Sequence, residues 1–236
     1  MSIATNRAQR TRIKICGLTR EEDVDAAVAA GADAVGFVLY KASPRYVSPL
    51  RAAELSKRLP PFVTPVLLFV NENAANIIAT KAINTLAIAQ FHGDETPEQC
   101  NQLGLPYIRA ARIPLGDGAA SFDLVKYAHD YSQAKAILLD AHVEGYGGGG
   151  KTFNWSLLPT NVNAHLVLSG GLNAANVTDG ILQVRPRCKT LAVDVSSGVE
   201  ATDAQGNAIK GVKDALKIQQ FIQAVRAADA QFNQTI

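Results

Sequence analysis

A thiol and a carboxyl group stand where proton transfer could take place. Cys16 closes the run Lys14-Ile15-Cys16-Gly17, and Asp140 closes Ile137-Leu138-Leu139-Asp140. Each ends a short apolar run and is followed at once by loop-like sequence. Taken singly, a free cysteine is most often a small buried hydrophobe, and an aspartate often does no more than open a turn. Alternation distinguishes these two. Successive side chains of a strand point to opposite faces. Lys14 and Cys16 then share a face opposite Ile13 and Ile15, and Gln90 and His92 share one opposite Ala89 and Phe91. Asp140 opposes Ile137 and Leu139, while Asp194 and Ser196 oppose Leu191, Val193 and Val195. Polar side chains of four strands thus gather on one parity at strand ends.

A thiol titrates near about 8.5, so a cysteine that acts as a base needs a positive charge or dipole beside it. Lys14, one layer deeper, supplies part of that field. It cannot stay buried unpaired, and Asp194 is its natural partner if the last strand closes against the first. A carboxyl group at an apolar mouth can have its pKa raised by desolvation, which would let it donate a proton near neutrality.

Three further segments suit an anionic substrate. Ser169-Gly170-Gly171-Leu172-Asn173 and Asp194-Val195-Ser196-Ser197-Gly198-Val199 are glycine- and serine-rich turns after the last two strands. Their backbone amides, with a helix N-terminus, form the usual phosphate cradle of parallel barrels, which makes Gly170, Gly171, Asn173, Ser196, Ser197 and Gly198 its candidates. Arg45, flanked by Pro44 and Tyr46, can clamp a carboxylate or phosphate with its planar fork. His92 makes no metal-ligand spacing with His129, His142 or His165, so it is taken as a hydrogen-bonding residue near the site, and no metal is expected. Gly145 to Thr152 reads GYGGGGKT and formally matches a P-loop. Four residues separate it from the preceding strand, however, and Pro159 stops the helix that should come next. It is expected to be a mobile glycine-rich lid.

These residues need a scaffold that brings strand ends together. Strands are predicted over 12–16, 34–39, 65–70, 86–91, 107–111, 136–140, 165–169 and 191–195. Helical stretches are predicted over 21–30, 49–59, 73–81, 97–103, 122–131, 155–158, 174–183 and 212–227. Ser48-Pro49, Thr96-Pro97 and Asn173-Ala174 mark helix starts. Eight alternating units favour a closed (β/α)₈ barrel of the TIM type, an α/β fold, over an open doubly wound sheet. No linker divides the 236 residues, so residues 12–236 are expected to form a single catalytic domain behind a disordered extension of residues 1–11. That extension is basic but lacks the apolar core of a secretory signal.

Composition narrows the class. Hydrophobic residues make up 47% and charged residues 19%, and the formal charge is +2. That is ordinary for a soluble globular protein, with no basic stripe for nucleic acid and no apolar run long enough for a membrane span. Cys16, Cys100 and Cys188 are too few and too scattered for a disulfide framework, which suits a reducing cytoplasm.

The ordered set Lys14–Gly17, Gly31–Phe37, Ser43–Ser48, Phe69–Asn71, Gln90–Gly93, Leu139 to Trp155, Leu168–Asn173 and Val193–Glu200 resembles the phosphoribosylanthranilate isomerases of tryptophan biosynthesis. The resemblance runs over nearly the whole chain. It implies a cofactor-free Amadori rearrangement of N-(5-phosphoribosyl)anthranilate to 1-(2-carboxyphenylamino)-1-deoxyribulose 5-phosphate. It also implies Asp140 as general acid, Cys16 as general base, Arg45 on the anthranilate carboxylate, and Lys14, Gln90, His92 and Asp194 in support. The partner is a small phosphorylated molecule, and the chain is expected to be a monomer or homodimer. Phe91, where the family often has leucine, and an enlarged loop over 202–210 are modest departures. The competing readings are a P-loop nucleotide hydrolase and a non-catalytic phosphate-binding barrel.

Overall fold

The computed structural model describes residues 10–115, 118, 121–141 and 152–234. Eight strands form a closed parallel barrel: β1 (Arg12–Cys16), β2 (Ala34–Val38), β3 (Thr64–Phe69), β4 (Ile88–Phe91), β5 (Tyr107–Ile113), β6 (Ala136–Ala141), β7 (His165–Leu168) and β8 (Thr190–Val195). Each strand pairs with the next, and β8 closes on β1 with Lys14 opposite Asp194. The helices are α1 (Glu21–Ala30), α2 (Pro49–Ser56), α3 (Ala74–Ile83), α4 (Pro97–Asn101), α5 (Leu124–Asp130), α6 (Val177–Val184) and α7 (Ala215–Gln234).

Local chemistry starts several of these helices. The Ser48 side chain accepts from the Arg51 N–H ahead of Pro49, and Thr96 forms a reciprocal capping box with Gln99. Alternation then sorts the strands' side chains. Ile13, Ile15, Val35, Phe37, Ile137, Leu139, Leu191 and Val193 pack outward in the main core beneath the helices. Ala110, Leu138 and Val167, with Ile108, Ala136 and Ala192, form a second small cluster inside the barrel. That plug gives the inward-facing polar residues above it an apolar floor.

The structure departs from the sequence expectations in several places. The sixth helical stretch is a single 3₁₀ turn over Trp155–Leu157, because Pro159 cannot continue a helix. Helix α6 starts at Val177, since the Asn176 side chain accepts from the Asn173 N–H and Asn173 accepts from the Ala175 N–H, which bends the chain before it winds. Strand β4 begins at Ile88, and Leu86 is 86% exposed. The enlarged loop is an antiparallel hairpin of β9 (Glu200–Thr202) and β10 (Ala208–Lys213). Residues 1–9 of the expected extension lie outside the described residues, but Thr11 is buried and its N–H and hydroxyl bind Asp229 of α7. The packed chain therefore begins at least one residue before the expected boundary.

Candidate active site

Cys16, Arg45, Gln90, His92, Asp140, Gly170, Gly171, Asp194, Ser196 and Ser197 line one cavity at the C-terminal ends of the strands. Parallel strands closed into a barrel make this convergence unavoidable, because the inward parity of every strand ends on the same rim. Val38, Tyr40, Ser43, Leu68, Ser169, Leu172 and Val195 complete the wall.

On one side, the Lys14 ammonium lies 2.8 Å from Asp194 Oδ1, and both side chains are buried. Burial alone would lower the Lys14 pKa, but Asp194 and Cys16 outweigh it and hold the ammonium charged. Cys16 is 4% exposed. Burial pushes its thiol above the ordinary 9.0; the Lys14 charge opposes this, Asp194 adds to it, and Lys213 opposes it weakly. Space at the thiol depends on Gly36 of β2. A Cβ there would stand 2.6 Å from Cys16 Sγ and 3.0 Å from Lys14 Cε.

Across the cavity, His92 joins Gln90 to Asp140. The Gln90 amide nitrogen is 3.1 Å from His92 Nδ1, and His92 Nε2 is 2.9 Å from Asp140 Oδ2. With both ring nitrogens engaged, His92 is a hydrogen-bonding residue, as its isolation in the sequence suggested. Among the described residues no group of three His, Cys, Asp or Glu side chains could hold a metal ion. Asp140 Oδ1 accepts from the Ala141 N–H at 3.0 Å.

The turns after β7 and β8 form the remaining wall. Gly170 has φ +77°, a left-handed conformation, and a Cβ there would stand 2.6 Å from the Ala141 nitrogen. Only glycine lets this turn press against the end of β6. Gly170, Gly171, Ser196 and Ser197 face the cavity. Asn173 and Gly198 do not line it. Asn173 spends its side chain on the Ala175 N–H, and Gly198 packs so tightly that a Cβ would fall 1.9 Å from the Leu172 carbonyl oxygen.

Arg45 holds the largest surprise. Its Nε and Nη2 bind Glu200 Oε1 and Oε2 at 2.6 and 2.9 Å, so the fork already grips a buried carboxylate. Glu200 stood beside the glycine-serine motif without an assigned role, and Lys213 had none. A contact between residues 155 positions apart leaves no local pattern in sequence. A charge flanking a glycine-serine turn was the one available hint. The glycine-rich segment of residues 145–150 and Lys151, expected to form a lid, lie outside the described residues. The next helical element in the chain is the 3₁₀ turn over Trp155–Leu157, not the long helix a P-loop needs.

Residues 13–224 match the family described as N-(5'phosphoribosyl)anthranilate (PRA) isomerase. The chain belongs to this family. It is an isomerase of tryptophan biosynthesis built on the barrel its sequence foretold. An N-(5'-phosphoribosyl)anthranilate isomerase from Methylibium petroleiphilum is 60% identical over 221 residues, covering 94% of this chain and 96% of the relative. Among solved structures, phosphoribosyl anthranilate isomerase from Thermotoga maritima aligns with a TM-score of 0.77 at 41% identity, covering 92% of this chain and 99% of that one. A second, solved in complex with reduced 1-(o-carboxyphenylamino)-1-deoxyribulose 5-phosphate, aligns with a TM-score of 0.74 at 38% identity, with the same coverage. No helix among the described residues of the isomerase is long and apolar enough to cross a membrane.

Proposed function

We propose that the isomerase converts N-(5-phosphoribosyl)anthranilate to 1-(2-carboxyphenylamino)-1-deoxyribulose 5-phosphate with Asp140 as acid and Cys16 as base. The bond from C1′ to the ring oxygen breaks, and the departing oxygen takes the Asp140 proton. The anilino nitrogen supplies the electrons and becomes an iminium. The Cys16 thiolate then removes the C2′ proton, and the electrons of that bond form the C1′–C2′ double bond of an enolamine. Return of a proton to C1′ and loss of the hydroxyl proton at C2′ give the ketose.

The observation that carries this reading is that a thiol and a carboxyl group from distant parts of the chain line one cavity, one on β1 and the other on β6. Lys14 supports the thiolate by charge, and His92 orients the carboxyl group. Gly170, Gly171, Ser196 and Ser197 surround the position for phosphate, where backbone donors of glycine-rich turns favour a dianion. Arg45 is the candidate for the anthranilate carboxylate. The bound ketose analogue in the related structure supports a phosphorylated ligand of this chemistry.

The test is an NMR time course of the aminoaldose phosphate with purified protein and EDTA. Conversion to the ketose without added metal is expected. No conversion, together with nucleotide binding that requires Mg²⁺ and is lost in Lys151→Ala, would instead favour the P-loop reading.

A further inference from the structure

The β9–β10 hairpin carries two buried charges to the rim of the cavity, at the point where the turn after β8 meets the Arg45 loop. Both Glu200 carboxylate oxygens are taken by Arg45, and Oε1 also accepts from the Gly211 N–H at 2.9 Å. Lys213 Nζ lies 3.4 Å from the same oxygen, and both side chains are fully buried. The ammonium also donates to the Ser196 carbonyl oxygen at 2.9 Å and reaches Ser196 Oγ at 3.4 Å. Gly17, next to Cys16, fills the gap. A Cβ there would stand 2.6 Å from Arg45 Cδ and 3.0 Å from Ser196 Oγ.

This packing constrains the site twice over. Arg45 spends the Nε–Nη2 edge of its fork inside the protein, so a substrate carboxylate must be met by the other edge, Nη1 with the second Nη2 hydrogen. Lys213 is fully buried, and burial lowers its pKa while Glu200 opposes that fall, so its hold on Ser196 depends on the ion pair.

We propose that Glu200 and Lys213 are positioning residues for the isomerase reaction: Glu200 aims Arg45 at the substrate's carboxylate end, and Lys213 holds Ser196 at its phosphate end. The hairpin thereby fixes the distance between the two anionic anchors, which sets the length of substrate that is turned over. Neither residue touches the reacting atoms.

This inference rests on the carboxylate role of Arg45, and the experiment separates the two. Inhibition of turnover by anthranilate alone and by inorganic phosphate alone is measured for E200Q, K213M and Arg45→Lys, with a melting curve for each. E200Q is expected to raise the anthranilate inhibition constant about tenfold or more while phosphate inhibition stays within about twofold, the effect of one charge-assisted hydrogen bond. K213M is expected to do the reverse, and in both the loss should fall on KM more than on kcat. Equal weakening of both inhibitors in either variant, or no change in a folded variant, overturns the proposal. If K213M does not fold, the isosteric E200Q decides alone. If Arg45→Lys leaves anthranilate inhibition unchanged, the role of Arg45 falls and the inference with it. If Arg45→Lys weakens it and E200Q does not, only the inference falls.

Discussion

His92 Nε2 lies 2.9 Å from Asp140 Oδ2, and the Gln90 amide nitrogen lies 3.1 Å from the other ring nitrogen. The ring thus bridges the Gln90 amide and the Asp140 carboxyl group, with both of its nitrogens engaged. His92 takes one oxygen of Asp140, and the Ala141 N–H takes the other at 3.0 Å.

Asp140→Asn keeps this geometry but has no carboxyl proton. Its kcat is expected to fall by at least about 100-fold, the low end for general acid catalysis, with little change in binding. His92→Asn retains a donor and should keep more activity than His92→Leu. Single-turnover rates compare the three. Near-normal kcat in Asp140→Asn would remove Asp140 from ring opening and make His92 the next residue to test.

Cys16→Ala is expected to abolish turnover while substrate binding survives within about tenfold, because proton abstraction belongs to the transition state alone. Burial holds the thiol above its ordinary 9.0, and Lys14 opposes that rise. The base must be the thiolate, so kcat/KM should climb as pH rises toward the thiol pKa. Lys14→Met removes the opposing charge and leaves Asp194 unpaired, and both changes move the climb to higher pH. The rate of thiol alkylation against pH reports the same shift without reference to turnover. An unmoved alkylation profile would exclude Lys14 as the activating charge.

Gly36→Ala places a methyl group 2.6 Å from Cys16 Sγ on a strand with no room to retreat. The thiol must move, and a displacement on the order of 1 Å at a reacting atom costs about 100-fold. The expected outcome is a folded protein with kcat reduced on that scale. Unchanged kcat in a variant of normal melting temperature would mean that Cys16 does not need its observed position.

Arg45→Ala leaves Glu200 buried with Lys213 as its remaining cation, so the variant should lose stability as well as affinity. Removing one partner of a buried pair costs about 3–5 kcal/mol when no other charge compensates, and Lys213 reduces that. Substrate binding should weaken by about 1.5–3 kcal/mol. Denaturant melts and inhibitor titrations separate the two effects. Wild-type values in both would remove Arg45 from substrate binding and make its pair with Glu200 dispensable.

Asp229 ties the chain's start to its last helix through Thr11 and Arg185. Burial alone would raise its pKa, but those hydrogen bonds outweigh it and hold the carboxyl group below its ordinary 3.8. A depressed folded pKa means that its stabilisation is complete above about pH 3.8 and is lost as pH falls through the lower folded value. Melting temperature should therefore drop on acidification to pH 3 more in the parent protein than in Asp229→Asn, which starts lower at pH 7. Parallel curves for the two would contradict this.

The isomerase's sequence determined much by itself, because two of its signals are local. Strand alternation put Cys16, Lys14, His92, Asp140 and Asp194 on the inward parity, and the glycine-serine runs marked turns that expose backbone amides. Eight such units announced a barrel, and closure then joined Lys14 to Asp194 as charge pairing required. What the tertiary structure alone decided was partnership across long separations. Nothing near Glu200 in the chain reveals that Arg45 will fill its carboxylate, since that contact exists only once the hairpin folds back over the rim. The same holds for Gly36, whose missing side chain matters only because Cys16 lies on the neighbouring strand. Asn173 and Gly198 differ in kind. The sequence offers both for a phosphate turn, yet the Asn173 side chain is taken by the Ala175 N–H and Gly198 is pressed against the Leu172 carbonyl, contacts that only the folded turns create.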